Sequence, residues 1–578
     1  MSERRLARRV VALPVRVFET SLGRAYERRH PGVLGRGLLR LLRPAVLRCA
    51  PNDKWNLHVF VPEWLAALRV PPRAPLPAVK RIFLFCAYRI EFTLNLNLAV
   101  FLAWRGHRIT IGYLPKLQSP IKEPRRDHPS AKPYLAAALR QVDALSGGRI
   151  RCVDLSEEPE WSGKLDEDYI ERQMLSDVVM AVRRETLDPS DPEVRDSRAY
   201  YDAVARTAQR AAWAHLSRAR DRYDLCLIPN GTTFEGAQVC HVAKRLGIPV
   251  NTFEKFAFRS VRIMNHGDNF LAFDDLDLAW NLRGAAGYED EPVYRRACAR
   301  AMRLLDERRG NSTTTWGWSL QTAPPQSPAA VLAQHGVGAA GEFVLVCPNV
   351  PYDAGYEGLR TVFPSMRDWL IDTVRALLER SSLTVVVRAH PAEAAHWGGR
   401  ERSEETLRAA GLVSPRLIVM PAEQKVNTYA LMEACRFGVV FSSTTGLEMA
   451  MLGKTVLAGT HAYYTRRGFT VDAKDRSDYF GQLDRLCAER EPGLDAEATR
   501  QAQLFHFILH CVMQWPYPYD KPSYVRARPP HALLVGGDID RYLDTLDVLT
   551  LAPEEWRTRA VDYLAANRAR HVVEHLKG

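Results

Sequence analysis

The chain has 578 residues, of which 46% are hydrophobic and 25% charged, with no internal repeat; this excludes a disordered scaffold, a solenoid and a propeller. Its net charge of +12 is concentrated at one end, where Met1 to Ala50 carries twelve Arg against three Glu. No run of about eighteen apolar residues occurs, so no membrane-spanning helix is expected.

The basic start interleaves Arg with Leu, Val and Phe, as in Val10 to Phe18 and Leu38 to Arg43. Two readings fit equally: a helix lying on an anionic inner-leaflet surface, or an Arg-rich helix packed on a domain by its apolar face. A secretory signal is not expected, because Arg4, Arg5, Arg8 and Arg9 precede only a short apolar stretch that contains Pro14 and Arg16. Nucleic acid is not an expected partner, since the basic end lacks interleaved aromatics or a reading motif. The ten cysteines form no CxxC pair and no zinc spacing. Cys86, Cys226 and Cys347 sit in apolar runs, where a free thiol behaves as a small buried hydrophobe. This fits a reducing compartment, and the expected location is the cytoplasm.

From Arg81 short β-branched runs alternate with amphipathic stretches, the pattern of βα units on a parallel sheet. Strands are predicted at 81–86, 108–113, 149–153, 224–228 and 248–252, with helices at 91–104 and 235–246 and a helical insertion over 166–222. A linker composition follows around 313–330. Strands are then predicted at 343–347, 383–388, 417–420, 437–441 and 455–458, separated by helices at 365–379, 404–410, 427–435 and 445–452. The predicted organisation is a basic segment at 1–80, a Rossmann-like acceptor domain at 81–312 and a linker at 313–330. A Rossmann-like nucleotide-sugar domain at 331–490 and a helical tail at 491–578 complete it. Such α/β domains bind ligands outside the carboxyl ends of their strands, so functional residues should follow strands.

Four loops of the second domain meet that condition. Phe441 to Lys454 places Ser443, Thr444 and Thr445 at a strand-to-helix turn whose backbone N–H groups suit a phosphate, with Glu448 one turn deeper for ribose hydroxyls. The alternative is an ordinary capping box of Thr445 with Glu448. Arg388 and His390 end a β-branched strand that Pro391 stops, and would give a cation and an imidazole to a departing phosphate. Asn349, in Cys347 to Asp353, touches donor or acceptor or makes an Asx turn. Lys425, in Pro421 to Lys425, adds a phosphate charge or is solvated surface.

The run Ser443-Thr-Thr-Gly-Leu-Glu448, then Leu452-Gly-Lys454, Tyr463-Tyr464, Gly468-Phe469-Thr470 and Asp472, resembles the C-terminal signature of the capsule polysaccharide biosynthesis family, which includes Kdo transferases. The similarity covers roughly residues 340 to 475 and is weak over 81 to 280. It implies a GT-B fold, metal-independent sugar transfer in a bacterial cell, no cofactor, and nucleotide-sugar contacts from His390, Ser443 to Thr445, Glu448 and Tyr464. Arg466-Arg467 stands where those enzymes have Gly-Trp, and Thr455 replaces a Pro, which leaves a CMP-linked or a UDP-linked donor open.

An inverting transfer also needs a base for the acceptor hydroxyl. Glu254, followed by Lys255 and placed just after a predicted strand, is the first choice, Glu235 the second and Glu91 the third. Asp275 and Asp277 resemble a DxD metal pair but read as solvated acids on a helix or turn. The expected activity is transfer from a nucleotide sugar to a saccharide or lipid-linked acceptor of a surface polysaccharide. A CDP-polyol phosphotransferase, a UDP-sugar epimerase and a non-catalytic assembly protein are the alternatives.

Overall fold

A computed structural model describes residues 61, 64–72, 78–86, 89–114, 132–219, 222–256, 260–310, 323–338, 340, 342–350, 362–394, 398–516, 534, 539 and 542–574. The basic segment 1–50, most of the linker composition, and Pro351 to Asp353 lie outside them. The chain divides into two compact units: Met1–Lys164 with Thr207–Phe270 and Trp515–Glu554, and Leu165–Arg206 with Leu271–Gln514 and Glu555–Gly578.

The first unit holds a seven-stranded sheet built from β1 (Arg81–Cys86), β2 (Arg108–Tyr113), β3 (Ile150–Asp154), β4 (Leu225–Pro229), β5 (Val250–Phe256), β6 (Ser260–His266) and β13 (Gln514–Pro516). Its order is β13-β6-β5-β4-β1-β2-β3. The five strands β3-β2-β1-β4-β5 are parallel, and β6 pairs antiparallel with β5. Phe83, Phe85, Cys226, Ile228 and Val250 pack with Ala208, Ala212 and Leu216 and with Val239, Val242 and Ala243 as one core.

The second unit carries β7 (Phe343–Cys347), β8 (Thr384–Arg388), β9 (Leu417–Met420), β10 (Phe437–Val440), β11 (Val456–Ala458) and β12 (Val471–Asp472), in the order β12-β11-β10-β7-β8-β9. All neighbouring pairs are parallel. Every residue of β7 and β10 is buried, as expected of parallel strands covered on both faces. On one face Val344, Val346, Val385, Val387 and Val439 meet Trp369, Leu377, Tyr479 and Leu483 from the helices Met366–Arg380 and Arg476–Ala488. The buried polar atoms there are matched: Trp369 Nε1 donates to the Tyr479 hydroxyl at 2.8 Å, which lies 2.9 Å from Thr373 Oγ1. On the other face Gly438 admits the helix Thr445–Met451, since a Cβ at 438 would lie 2.4 Å from Met449 Sδ.

Both sheets thus contain the Rossmann order, 3-2-1-4-5 in the first and 3-2-1-4-5-6 in the second, and the fold class is α/β with two Rossmann-type domains, as expected of a GT-B chain. Helices Glu167–Val182 and Glu291–Arg309, which the sequence reading placed in the first domain, belong to the second compact unit.

Candidate functional site: the strand ends of the second sheet

In the second sheet the strand order reverses between β7 and β10, the place at which doubly wound sheets bind ligands. The two loops are joined directly: Asn349 Oδ1, after β7, accepts from the Ser442 N–H, after β10, at 3.1 Å. Asn349 therefore shapes the turn.

Ser443 is buried, and its Oγ accepts from the Thr445 N–H at 3.4 Å and from Thr445 Oγ1 at 3.0 Å. Its carbonyl accepts from the Tyr464 hydroxyl at 2.6 Å and from the Gly446 N–H at 2.9 Å. Tyr464, expected at the ligand, is fully buried beneath the turn and holds it from below. Thr444 is partly exposed, and its Oγ1 accepts from the Tyr463 hydroxyl at 3.1 Å. The turn is thus fixed by four side chains before any ligand arrives, which is the preorganisation a binding loop needs.

Glu448 does not form the alternative capping box with Thr445. It caps nothing: the helix begins after Thr444, which makes no side-chain cap. Its carboxylate, 1% exposed, is an ion-pair partner, with Oε1 3.1 Å from Arg308 Nη1 and accepting from the Tyr429 hydroxyl at 3.2 Å. Burial pushes the Glu448 carboxyl up, and the Arg308 charge and the Tyr429 hydrogen bond work against that rise. Burial disfavours the Arg308 cation, but the Glu448 charge prevails and holds the guanidinium above its ordinary value.

His390 follows β8 and is partly exposed. Its Nδ1 accepts from the Ala392 N–H at 3.1 Å. Burial, and then the charges of Arg308 and Arg388, push its pKa down to about 4, so the ring is neutral at pH 7. With Nδ1 used as an acceptor, the neutral ring carries its proton on Nε2 and serves as a hydrogen-bond donor. Arg388 presents no open fork. It is 2% exposed, its Nη1 donates to the carbonyls of Met420 (3.4 Å) and Pro421 (2.7 Å), and its Nη2 to that of Gln424 (3.3 Å). The guanidinium therefore ties the β8 and β9 ends together, while its charge still acts on His390. Lys425 is exposed on the loop after β9.

The carboxylates proposed for proton abstraction lie in the first unit. Glu254 sits within β5, which runs on to Phe256 and pairs Glu254 with Arg262 of β6, and so is not in a loop after a strand. Its Oε2 accepts from Asn230 Nδ2 at 3.4 Å, which places it beside the loop that leaves β4. Glu235 is buried in the first turn of the helix Phe234–Arg245, after a loop in which Asn230, Gly231 and Phe234 all have positive φ. Side chains of Glu91 and its neighbours lie outside the described set. Asp277 pairs with Arg467, whose guanidinium lies 4.5 Å from the Phe505 ring centroid and 5.9 Å from that of Trp280. The Arg that replaces an aromatic in the resemblance is thus stacked among aromatics. Among the described residues no group of three His, Cys, Asp or Glu could hold a metal ion, and no helix is long and apolar enough to cross a membrane.

Sequence reasoning missed Arg308 and Tyr429 as parts of this site, and named Tyr463 only within the family resemblance. Arg308 lies on a helix with six arginines, Glu291–Arg309, where nothing local singles it out.

Fold and site define an α/β protein with two Rossmann-type domains, the second bearing a preorganised polar turn flanked by cationic and imidazole groups at its switch point. No protein-family model matches the chain, and no curated protein does. Among solved structures it is similar to the β-Kdo 2,4-transferase of Thermosulfurimonas dismutans KpsC, at 16% identity over 49% of this chain and 79% of that one, with a TM-score of 0.30. It is also similar to the UDP-GlcNAc 2-epimerase of Neisseria meningitidis bound to UDP-GlcNAc, at 9% identity over 80% and 100% of the two chains, with a TM-score of 0.23. The UDP-GlcNAc 2-epimerase of Methanocaldococcus jannaschii matches at 9% identity over 73% and 97%, with a TM-score of 0.25.

Proposed function

We propose that the chain is a glycosyltransferase that moves a sugar from a nucleotide-sugar donor to a growing surface or capsular polysaccharide, or to its lipid-linked acceptor. The observation that supports this most is the turn after β10. Ser442 to Thr445 is fixed by Asn349, Tyr463 and Tyr464, and the Ser443 and Thr444 N–H groups meet no acceptor among the described residues. Donors held in place at a switch point are what a phosphate requires, and they need no reorganisation when charge develops on it. His390 adds a neutral Nε2 donor, and the N–H groups of Arg388 behind it donate, among the described residues, to backbone carbonyls.

In this mechanism the nucleotide phosphate is the leaving group. Negative charge grows on it as the sugar–oxygen bond lengthens, and the turn amides and His390 Nε2–H stabilise that charge. Transfer is metal-independent in this reading, because side chains and amides take the role a cation would have. The acceptor hydroxyl loses its proton to a carboxylate, assigned to Glu254 with Glu235 as the second candidate.

The test is mass spectrometry of products after the protein is offered a panel of CMP-, UDP-, GDP- and CDP-linked donors with oligosaccharide and lipid-linked acceptors. A glycosylated acceptor supports the reading. An epimerised nucleotide sugar, transfer of a polyol phosphate, or no product with any donor contradicts it.

A further inference from the structure

The chain between β11 and β12, residues 459–470, contains no helix, and β12 pairs with the last two residues of β11, Leu457 with Val471 and Ala458 with Asp472. The loop therefore leaves and rejoins the sheet at the carboxyl ends of the strands, beside the turn after β10, to which Tyr463 and Tyr464 tie it. Most of its polar groups are used in holding this shape. Thr465 Oγ1 accepts from the Ala462 N–H at 3.1 Å, and Asp472 accepts from the Arg466 N–H at 2.7 Å and from Thr470 Oγ1 at 2.8 Å. Arg467 donates to the Tyr463 carbonyl and pairs with Asp277. Two side chains stand apart: among the described residues neither the His461 imidazole nor the Arg466 guanidinium has a hydrogen-bond or ion-pair partner. Arg466 is exposed and sits at a φ of 61°, a left-handed conformation that a residue with a Cβ adopts at a cost and Gly adopts freely.

We propose that Arg466, with His461 beside it, holds one phosphate of a diphosphate whose other phosphate rests on the turn after β10, so that the donor is a nucleoside diphosphate sugar. This rests on the reading of the strand-end face as a nucleotide-sugar site and names the class of donor. Three points favour it over a solvated surface cation. Gly would relieve the backbone at 466, and strain kept at a residue whose side chain bonds to nothing else in the fold marks a position held for a ligand. His461 and Arg466 share one neighbourhood: burial, and then the Arg466 charge, lowers the His461 pKa, so a neutral imidazole offers one N–H beside an open guanidinium fork at pH 7. Finally, the turn amides and the His390 donor suit a single phosphate, and a second one calls for a cation. Arg388 spends its N–H groups on carbonyls and Arg467 pairs with Asp277, whereas Arg466 keeps its fork.

The test is isothermal titration of the full chain, wild type and Arg466→Gly, with UDP, UMP, CDP, CMP, GDP and GMP, together with thermal melting of both proteins. Wild type should bind one diphosphate at least about tenfold more tightly than the monophosphate of the same base, and Arg466→Gly should bind that diphosphate about tenfold to a hundredfold more weakly, the worth of one charge-assisted hydrogen bond. The melting temperature of Arg466→Gly should stay at or near that of wild type, because relief of the left-handed backbone offsets the freedom that Gly adds to the unfolded chain. Loss of a side chain that supports the fold would instead lower it by several degrees. Diphosphate binding by Arg466→Gly equal to that of wild type overturns the inference, as does weaker binding accompanied by such a fall in melting temperature. A wild-type protein that binds a monophosphate as tightly as the corresponding diphosphate overturns it and keeps the nucleotide site; one that binds no nucleotide removes that site and the inference with it.

Discussion

Replacing either partner of the Arg308–Glu448 pair should have unequal consequences, because the two partners differ in exposure. Arg308→Met strands a carboxylate that is 1% exposed, and breaking a buried pair in this way costs about 3 kcal/mol or more. Glu448→Gln leaves a cation that keeps 32% of its side-chain surface in water and an amide oxygen that still accepts from Tyr429. Its cost should be nearer to about 1 kcal/mol, the worth of an ordinary hydrogen-bond change. The double variant should cost less than the two single losses together, with a coupling of about 1–2 kcal/mol. Urea unfolding at pH 8 reads all three. The Arg308→Met loss should also shrink toward pH 5. Burial already raises the Glu448 carboxyl, and without Arg308 it rises further, so the folded state holds a proton that the unfolded chain releases, and stability falls as pH rises through that window. Equal losses for the two single variants, or simple additivity, would refute the unequal burial on which the reasoning rests.

Acidification should weaken the fold in both units. His107 and His390 are pushed down to about 4 and His506 to about 3, each by burial first. The unfolded chain therefore binds more protons than the folded one below about pH 6.5, and stability measured by thermal melting should fall steadily from there toward pH 4. For the same reason activity should show no titration of His390 between pH 5.5 and 8, and His390→Gln, which keeps a donor, should retain more activity than His390→Ala. Gly446→Ala puts a Cβ 2.4 Å from the Tyr464 hydroxyl and 2.9 Å from Val440 Cγ2; it should lower stability by about 1–3 kcal/mol and weaken nucleotide binding, as seen by urea unfolding and titration. Glu254→Gln should reduce kcat by about a hundredfold or more with little change in donor affinity; a normal kcat would pass the base to Glu235.

The second sheet was legible because its central strands are short β-branched runs buried on both faces, Val385-Val386-Val387 among them, with helical segments between successive strands. β5 was read as ending at Thr252 because Glu254-Lys255 looks like a loop; antiparallel pairing with β6 lets charged residues continue the strand. β12 and β13, two and three residues long, carry too little pattern to be seen. At the site, residue types were easier to read than their roles. Arg388 was singled out as a ligand for its chemistry and Tyr464 through the family resemblance, yet Tyr464 supports the turn from below and Arg388 staples two loops, distinctions that depend on burial. Arg308 meets Glu448 across 140 positions of sequence, and no local motif announces such a pair.

The most direct test of the central claim, that the turn after β10 and the end of β8 grip a nucleotide's phosphate, is amide hydrogen exchange with and without UDP or CMP. Slowed exchange confined to Ser442–Gly446 and the segment Ala389–Ala392 is the predicted result. Protection that falls elsewhere in the chain and leaves both segments unchanged would contradict it.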